Sequence, residues 1–152
     1  MSAHTFHFKT LNNQTIDLSN FKGKPFLVCN TATLCGFNKQ LHGLEALHRA
    51  GKQVLATPSN DFGQQEPGSS EALVCTLKDK YQISFPVTAC LGIKHNPHPF
   101  YQWLQTQVSF FGYPRWNFYK FIFDHEGNLI QWFSPLTQPN HHKIIHLLNQ
   151  HH

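Results

Sequence analysis

Apolar positions recur along this chain with two periods, and each change of period marks an element. Residues 6–8 and 15–18 are short strand-like pieces separated by the polar Asn12-Asn13-Gln14, which predicts an N-terminal hairpin. Residues 26–30, Phe-Leu-Val-Cys-Asn, form an apolar run of buried-strand length. From Phe37 the spacing changes. Phe37, Leu41, Leu44 and Leu47 share one face of a helix, and Gly51 is its stop. Residues 53–57 predict a second buried strand, ended by Pro58. A polar loop punctuated by Gly and Pro follows over 59–68, and long loops of this kind tend to carry function. Ser69 then reads as a helix cap with Glu71 in the first turn, and Leu73, Val74, Leu77 and Tyr81 form the buried stripe. Cys75 lies about 200° around the helix from Leu73 and should sit off that stripe.

The rest of the chain is mostly extended. Residues 85–87 predict another extended piece, 96–99 a turn, and 99–104 the start of a short helix with Trp103. Residues 108–115 read as a loop with Gly112 and Pro114. An aromatic-rich strand over 117–124, a turn at 125–128 and a strand over 129–133 form a second hairpin. Residues 140–149 predict the last helix, with Ile144, Leu147 and Leu148 on one side. A β-α-β unit implies parallel strands, and a closing β-β-α implies antiparallel ones. The expected fold is therefore α/β and thioredoxin-like: a central mixed sheet flanked by helices, with an N-terminal hairpin.

Composition narrows the function. At 152 residues, 40% apolar and 13% charged, residues 1–152 are expected to form one globular domain. The charge of +4 is mild, and no basic run interleaves with aromatics, so no nucleic-acid partner is expected. The 12 histidines add positive charge only below about pH 6.5. Residues 1–20 lack the apolar run of a secretory leader, and no run approaches the roughly 20 residues of a membrane span. The four cysteines are Cys29, Cys35, Cys75 and Cys90. Cys29 and Cys90 fall in strand-like apolar contexts, 26–30 and 87–93, so the set reads as reduced thiols of a cytoplasmic protein.

Cys35 falls where a strand hands over to a helix, at or just before the first helical turn. Free N–H groups and the helix dipole there favour an anion, and the thiolate is the reactive form of cysteine. The competing reading is a small buried hydrophobe. Asn38 occupies the second position of a Cys-x-x-Cys pair, so plain dithiol exchange at this site is not expected.

Three separated segments then stand out: Asn30-Thr31-Ala32-Thr33-Leu34-Cys35-Gly36-Phe37, Asn60-Asp61-Phe62-Gly63-Gln64-Gln65-Glu66-Pro67-Gly68, and Trp116-Asn117-Phe118-Tyr119-Lys120-Phe121. Together they resemble the glutathione peroxidase family, whose pattern is Asn-Val-Ala-Ser-x-Cys-Gly-Phe, Asn-Gln-Phe-Gly-x-Gln-Glu-Pro-Gly and Trp-Asn-Phe-x-Lys-Phe. Phe21-Lys22-Gly23-Lys24, Phe85-Pro86, Asp124 and Gly127 agree with it as well. The resemblance implies that Cys35 is the peroxidatic residue, with Gln65, Trp116 and Asn117 beside it. The thiolate would attack the peroxide O–O bond, leaving a sulfenic acid and an alcohol or water. The amides of Gln65 and Asn117 and the indole of Trp116 are donors suited to stabilising charge as it moves to the leaving oxygen. Gly36 and Gly63 read as backbone requirements.

Two departures from the pattern matter. Asp61 replaces the usual glutamine and is expected to face solvent, and Ser59 replaces a frequent cysteine. The family's resolving cysteine would fall near Leu77 or Lys78, so Cys75 is two or three residues early. It is either the resolving thiol, reached by unwinding its helix, or an inert one. His141, His142, His146, His151 and His152 read as a solvated polar face rather than a metal site. The resemblance calls for no cofactor and no metal. It implies a thiol peroxidase acting on hydrogen peroxide and on organic and lipid hydroperoxides, with thioredoxin or glutathione as reductant. The short 108–115 connection matches the smaller, monomeric members. A disulfide reductase pairing Cys35 with Cys75, or a peroxide-sensing redox relay, are the alternatives.

Overall fold

A computed structural model describes residues 1–64, 66 and 70–150. The expected cap at Ser69, the side chains of Glu71 and Val74, Gln65, and His151 and His152 lie outside the described residues. Strands β1 (His7–Lys9) and β2 (Thr15–Asp17) pair antiparallel as the N-terminal hairpin. The central sheet has the order β4-β3-β5-β6, formed by β3 (Phe26–Thr31), β4 (Gln53–Pro58), β5 (Lys120–Phe123) and β6 (Leu129–Phe133). β3 runs parallel to β4 and antiparallel to β5, and β5 is antiparallel to β6, so the sheet is mixed as expected. Pro58 ends β4 on the sheet edge, where its missing N–H disturbs no inner ladder.

Both faces of the sheet are covered, which is why β3 and β5 read as apolar runs rather than alternations. On one face Leu27, Cys29, Val54, Ala56 and Ile122 pack with α1 (Gln40–Arg49), α4 (His142–Leu148) and the Leu73, Leu77, Tyr81 stripe. On the other, Phe26, Val28, Leu55, Phe121 and Phe123 pack with Phe8, Leu18 and the Phe100, Tyr101 and Leu104 side chains of α3 (Pro99–Gln107).

Several expectations are corrected. α1 starts at Gln40, three residues beyond the expected start at Phe37, so Cys35 lies five residues ahead of the helix rather than at or just before its first turn. Consecutive turns fill the gap, and the Asn38 side chain donates to the Thr33 carbonyl at 2.9 Å, a local bond that competes with helix. The next helix is α only over α2 (Ser70–Cys75) and continues as a π-helix over Thr76–Lys80. Leu73, Leu77 and Tyr81 stay buried through that change, and Cys75 is exposed as expected. Residues 87–93 are not a strand. Only isolated bridges from Val87 to Ala56 and from Thr88 to Thr10 form there, and Cys90 is exposed. Helices α3 and α4 are each capped by a histidine: His98 Nδ1 accepts the Phe100 N–H at 3.0 Å, and His141 Nδ1 accepts the Lys143 N–H at 3.1 Å.

Candidate active site

Cys35 sits in the turns between β3 and α1 with its side chain 1% exposed. Its N–H donates to the Ala32 carbonyl at 3.3 Å, and its carbonyl accepts the Asn38 N–H at 3.0 Å. The Phe37 N–H points at the sulfur, 3.5 Å away. The anion-favouring donor is thus a turn amide rather than the helix end. Gly36, next to it, has neither left-handed backbone nor a close neighbour, so nothing there demands glycine.

The turn is fastened to the loop that carries Gln65. Glu66 Oε2 accepts the Thr33 N–H at 2.8 Å and also the Thr33 hydroxyl. The Glu66 N–H in turn donates to Asn60 Oδ1 at 3.0 Å. Burial pushes the Glu66 carboxyl above its ordinary range, against the two bonds from Thr33. Gln65 itself lies outside the described residues.

Trp116 and Asn117 are brought in by a buried residue that pattern reading treated as strand. Asn30 is fully buried at the end of the apolar run. Its Nδ2 donates to the Trp116 carbonyl at 2.9 Å, and its Oδ1 accepts the Tyr119 N–H at 3.0 Å. Its backbone carbonyl accepts the Phe118 N–H at 2.6 Å. The three bonds hold the approach to β5 in place, with Phe118 at φ 69°. That left-handed conformation is strained for an aromatic residue. The Trp116 ring packs against both halves of the core, including the part that contains Cys35. Asn117 is fully buried, and its Nδ2 donates to the Phe62 carbonyl at 3.3 Å.

Gly63 shows how closely the second loop meets Trp116. Its φ is +67°, and a Cβ there would lie 2.6 Å from Trp116 Cη2. The backbone requirement expected at this glycine is therefore met twice over.

Asp61 does not simply face solvent. Its Oδ2 accepts the N–H groups of Ile93, Lys94 and His95 at 2.8, 2.9 and 3.1 Å. Burial opposes its charge, but those three donors outweigh it and hold the carboxyl below its usual range. Ser59, fully buried, accepts the Asp61 N–H on its hydroxyl at 3.3 Å. Both departures from the family pattern thus serve the loop. Sequence reasoning missed Asn30, Glu66 and Asp61 as its fasteners, although each is a polar residue inside a quoted motif.

Beside Phe62 an apolar cavity of about 460 Å³ opens, lined in part by Val108, Phe110, Tyr113, Pro114 and Arg115. The Arg115 guanidinium lies over the Phe110 and Phe111 rings, 5.7 and 5.3 Å from their centroids. Phe62 joins this cavity to the site, since its ring lies 6.5 Å from that of Trp116. Among the described C-terminal histidines, His141 caps α4 and stacks on His142 at 4.4 Å, and His146 meets Gln150 at 3.2 Å.

A mixed central sheet flanked by helices, with an N-terminal hairpin, defines a thioredoxin-like α/β fold. Solved structures agree. "Crystal structure of Trgpx in apo form" aligns with 99% of this chain and 97% of its own at TM-score 0.76 and 30% identity. "Crystal structure of T. cruzi GPX1" aligns with 97% of each chain at TM-score 0.75 and 25% identity. A curated relative, glutathione peroxidase-like peroxiredoxin gpx1 of Schizosaccharomyces pombe, is 39% identical over 140 residues, 88% of this chain and 89% of its own. The glutathione peroxidase of Lactococcus lactis subsp. cremoris is 32% identical over 146 residues, 91% and 93% of the two chains. Residues 3–105 match the glutathione peroxidase family. The chain belongs to that family and is a peroxidase. Among the described residues, no helix is long and apolar enough to cross a membrane.

Proposed function

We propose that this chain, acting as one domain over residues 1–152, reduces hydrogen peroxide and organic or lipid hydroperoxides through Cys35. The observation that carries this reading is the placement of Cys35. Its sulfur is nearly enclosed, faces the Phe37 N–H at 3.5 Å, and lies in the packed cluster that receives Trp116. The thiolate attacks one peroxide oxygen, the O–O bond breaks, and the electron pair leaves with the other oxygen, which takes a proton. The sulfur is left as a sulfenic acid. Gln65, Trp116 and Asn117 supply donors to the developing oxyanion. The cavity beside Phe62 is room for the apolar part of a bulky hydroperoxide.

Cys75 is the resolving thiol in this reading. It is exposed and ends the α-helical part of its helix, where the backbone switches to π. π segments are rare and recur at functional sites. The change of helix type thus falls at the residue that would have to leave the helix. Attack of the Cys75 thiolate on the sulfenic sulfur forms the S–S bond and breaks the S–O bond, and the departing hydroxide takes a proton to leave as water. Thioredoxin then returns two electrons, and glutathione does so for a sulfenic acid left unresolved. We place the protein in the cytoplasm and take it to be monomeric, on the short 108–115 connection.

Stopped-flow measurement of peroxide consumption tests the proposal. Cys35→Ser should abolish it. Cys75→Ser should leave the first, single-turnover oxidation intact but stop turnover with thioredoxin. A Cys35→Ser protein as active as the parent would end the reading.

A further inference from the structure

One buried charge in the third motif has no role in the chemistry described so far. Lys120 opens β5 and is fully buried. Its Cα partner on β3 is Cys29. Paired positions of neighbouring strands put their side chains on the same face. That face is the one where Leu27, Cys29 and Ile122 pack with Cys35. An ammonium so placed is expensive unless something compensates it. Its hydrogen bond goes to the Ser134 carbonyl at 3.2 Å, a neutral acceptor. Among the described residues, the ion pairs are Arg49–Glu45 and His125–Glu126, and neither involves Lys120.

Pinning the 134–135 segment does not explain the charge. The Gln40 side chain already holds that segment, its Nε2 donating to the Pro135 carbonyl at 2.6 Å. Nor does Cys29 serve as counter-ion. Burial pushes its thiol up to about 12 against the lowering by the Lys120 charge, so it stays neutral, and a charge on Cys35 adds to the rise. Burial lowers Lys120 to about 8, with Cys29 opposing that shift. On this face β5 meets β3, β6 and α4: Cys29 is the titratable group of β3, β6 carries none, and His142, Lys143 and His146 of α4 are exposed. The other sulfur of this packed cluster is Cys35, in the turn whose Thr33 holds the buried Glu66 carboxyl.

We propose that Lys120 is a positioning residue for Cys35: the fold keeps a positive charge on the same face of the sheet so that the sulfur can become negative. The proposal rests on Cys35 being the peroxidatic thiol. Lys120 acts through its field and touches no reacting atom. It gives the fifth position of Trp-Asn-Phe-Tyr-Lys-Phe a use that the four proposed site residues leave open.

The test is the pH profile of Cys35 alkylation by iodoacetamide, with each cysteine peptide quantified separately by mass spectrometry. In Lys120→Met, which keeps the volume and removes the charge, the Cys35 midpoint should rise by about one pH unit, a roughly tenfold slower reaction on the low-pH limb. Lys120→Arg should restore the parent limb, and the exposed Cys75 should be unmoved in both. Coincident Cys35 profiles in parent and Lys120→Met would overturn the proposal. A reciprocal measurement needs no change at Lys120. By coupling, the Lys120 side-chain NMR signal should titrate at lower pH in Cys35→Ser than in the parent. Equal midpoints there also overturn it. Alkylation does not depend on turnover. Loss of the Lys120 effect with Cys35→Ser still inactive therefore sinks this inference alone, and an active Cys35→Ser sinks the function.

Discussion

At the scale of single residues, the site is positioned by polar side chains that touch backbone rather than by the residues that would touch peroxide. Asn30 is the clearest. In Asn30→Leu, the Trp116 carbonyl and the Tyr119 N–H both lose their partner inside the protein. Two buried groups left unpaired cost about 2–6 kcal/mol. A denaturant titration should show that loss, and peroxide turnover should fall with it, because Trp116 and Asn117 are no longer held. Gly63→Ala tests the same contact from the other side. A methyl group at φ +67°, with Trp116 Cη2 at 2.6 Å, must move the indole or the loop. We expect a stability loss of about 1–3 kcal/mol and a changed Trp116 fluorescence. Unchanged fluorescence with parent activity would mean that Trp116 is not fixed by this loop.

At the scale of elements, the strands and the buried faces were legible and the connections much less so. β3, β4 and β6 begin at the expected residues; β3 and β4, buried along nearly their whole length, have little choice of residue, whereas the edge strand β6 keeps Ile130 and Gln131 exposed. α1 was placed too early. Phe37 continues the helical spacing and still packs against the core, but Asn38 spends its side chain on the Thr33 carbonyl and keeps the segment in turns. The histidine caps at His98 and His141 were missed because a ring nitrogen in that role is not among the common capping side chains. Asp61 was misplaced for a related reason. Its three partners, Ile93, Lys94 and His95, lie some thirty residues on, and no local pattern announces them. This clasp ties the loop before Gln65 to the segment before α3. Asp61→Ala should loosen it by about 1–3 kcal/mol. Hydrogen exchange should then quicken at Ile93, Lys94 and His95, while the amides of β3 keep their protection.

At the scale of the molecule, the titrating groups set the acid limit. Burial lowers His98 from 6.5, with a His7 bond opposing, and burial also lowers His4. Each is favoured neutral in the fold. Their contribution is fully present above about 6.5 and is lost as pH falls through the folded values, because the unfolded chain takes the protons first. Glu45 adds a second window. Burial opposes its charge, but bonds from Ser84 and Arg49 bring it down to about 2. Its contribution is present above 4.5 and is lost as pH falls toward 2. Melting temperature should therefore drop in two stages on acidification. His98→Asn, which keeps a capping oxygen and cannot protonate, should shrink the first stage. A flat melting temperature from pH 7.5 to 5.5 would contradict this assignment.

β3 leads into the turn of Cys35, the Glu66–Thr33 tie fastens the second loop to that turn, Gly63 meets Trp116, and Asn30 draws in the third segment. The most direct measurement is mass spectrometry after one equivalent of hydrogen peroxide, with a sulfenic-acid trap present. Cys75→Ser should carry the trap on Cys35, and the parent should instead show a Cys35–Cys75 disulfide. An unmodified Cys35 alongside a labelled Cys29 or Cys90 would contradict the account.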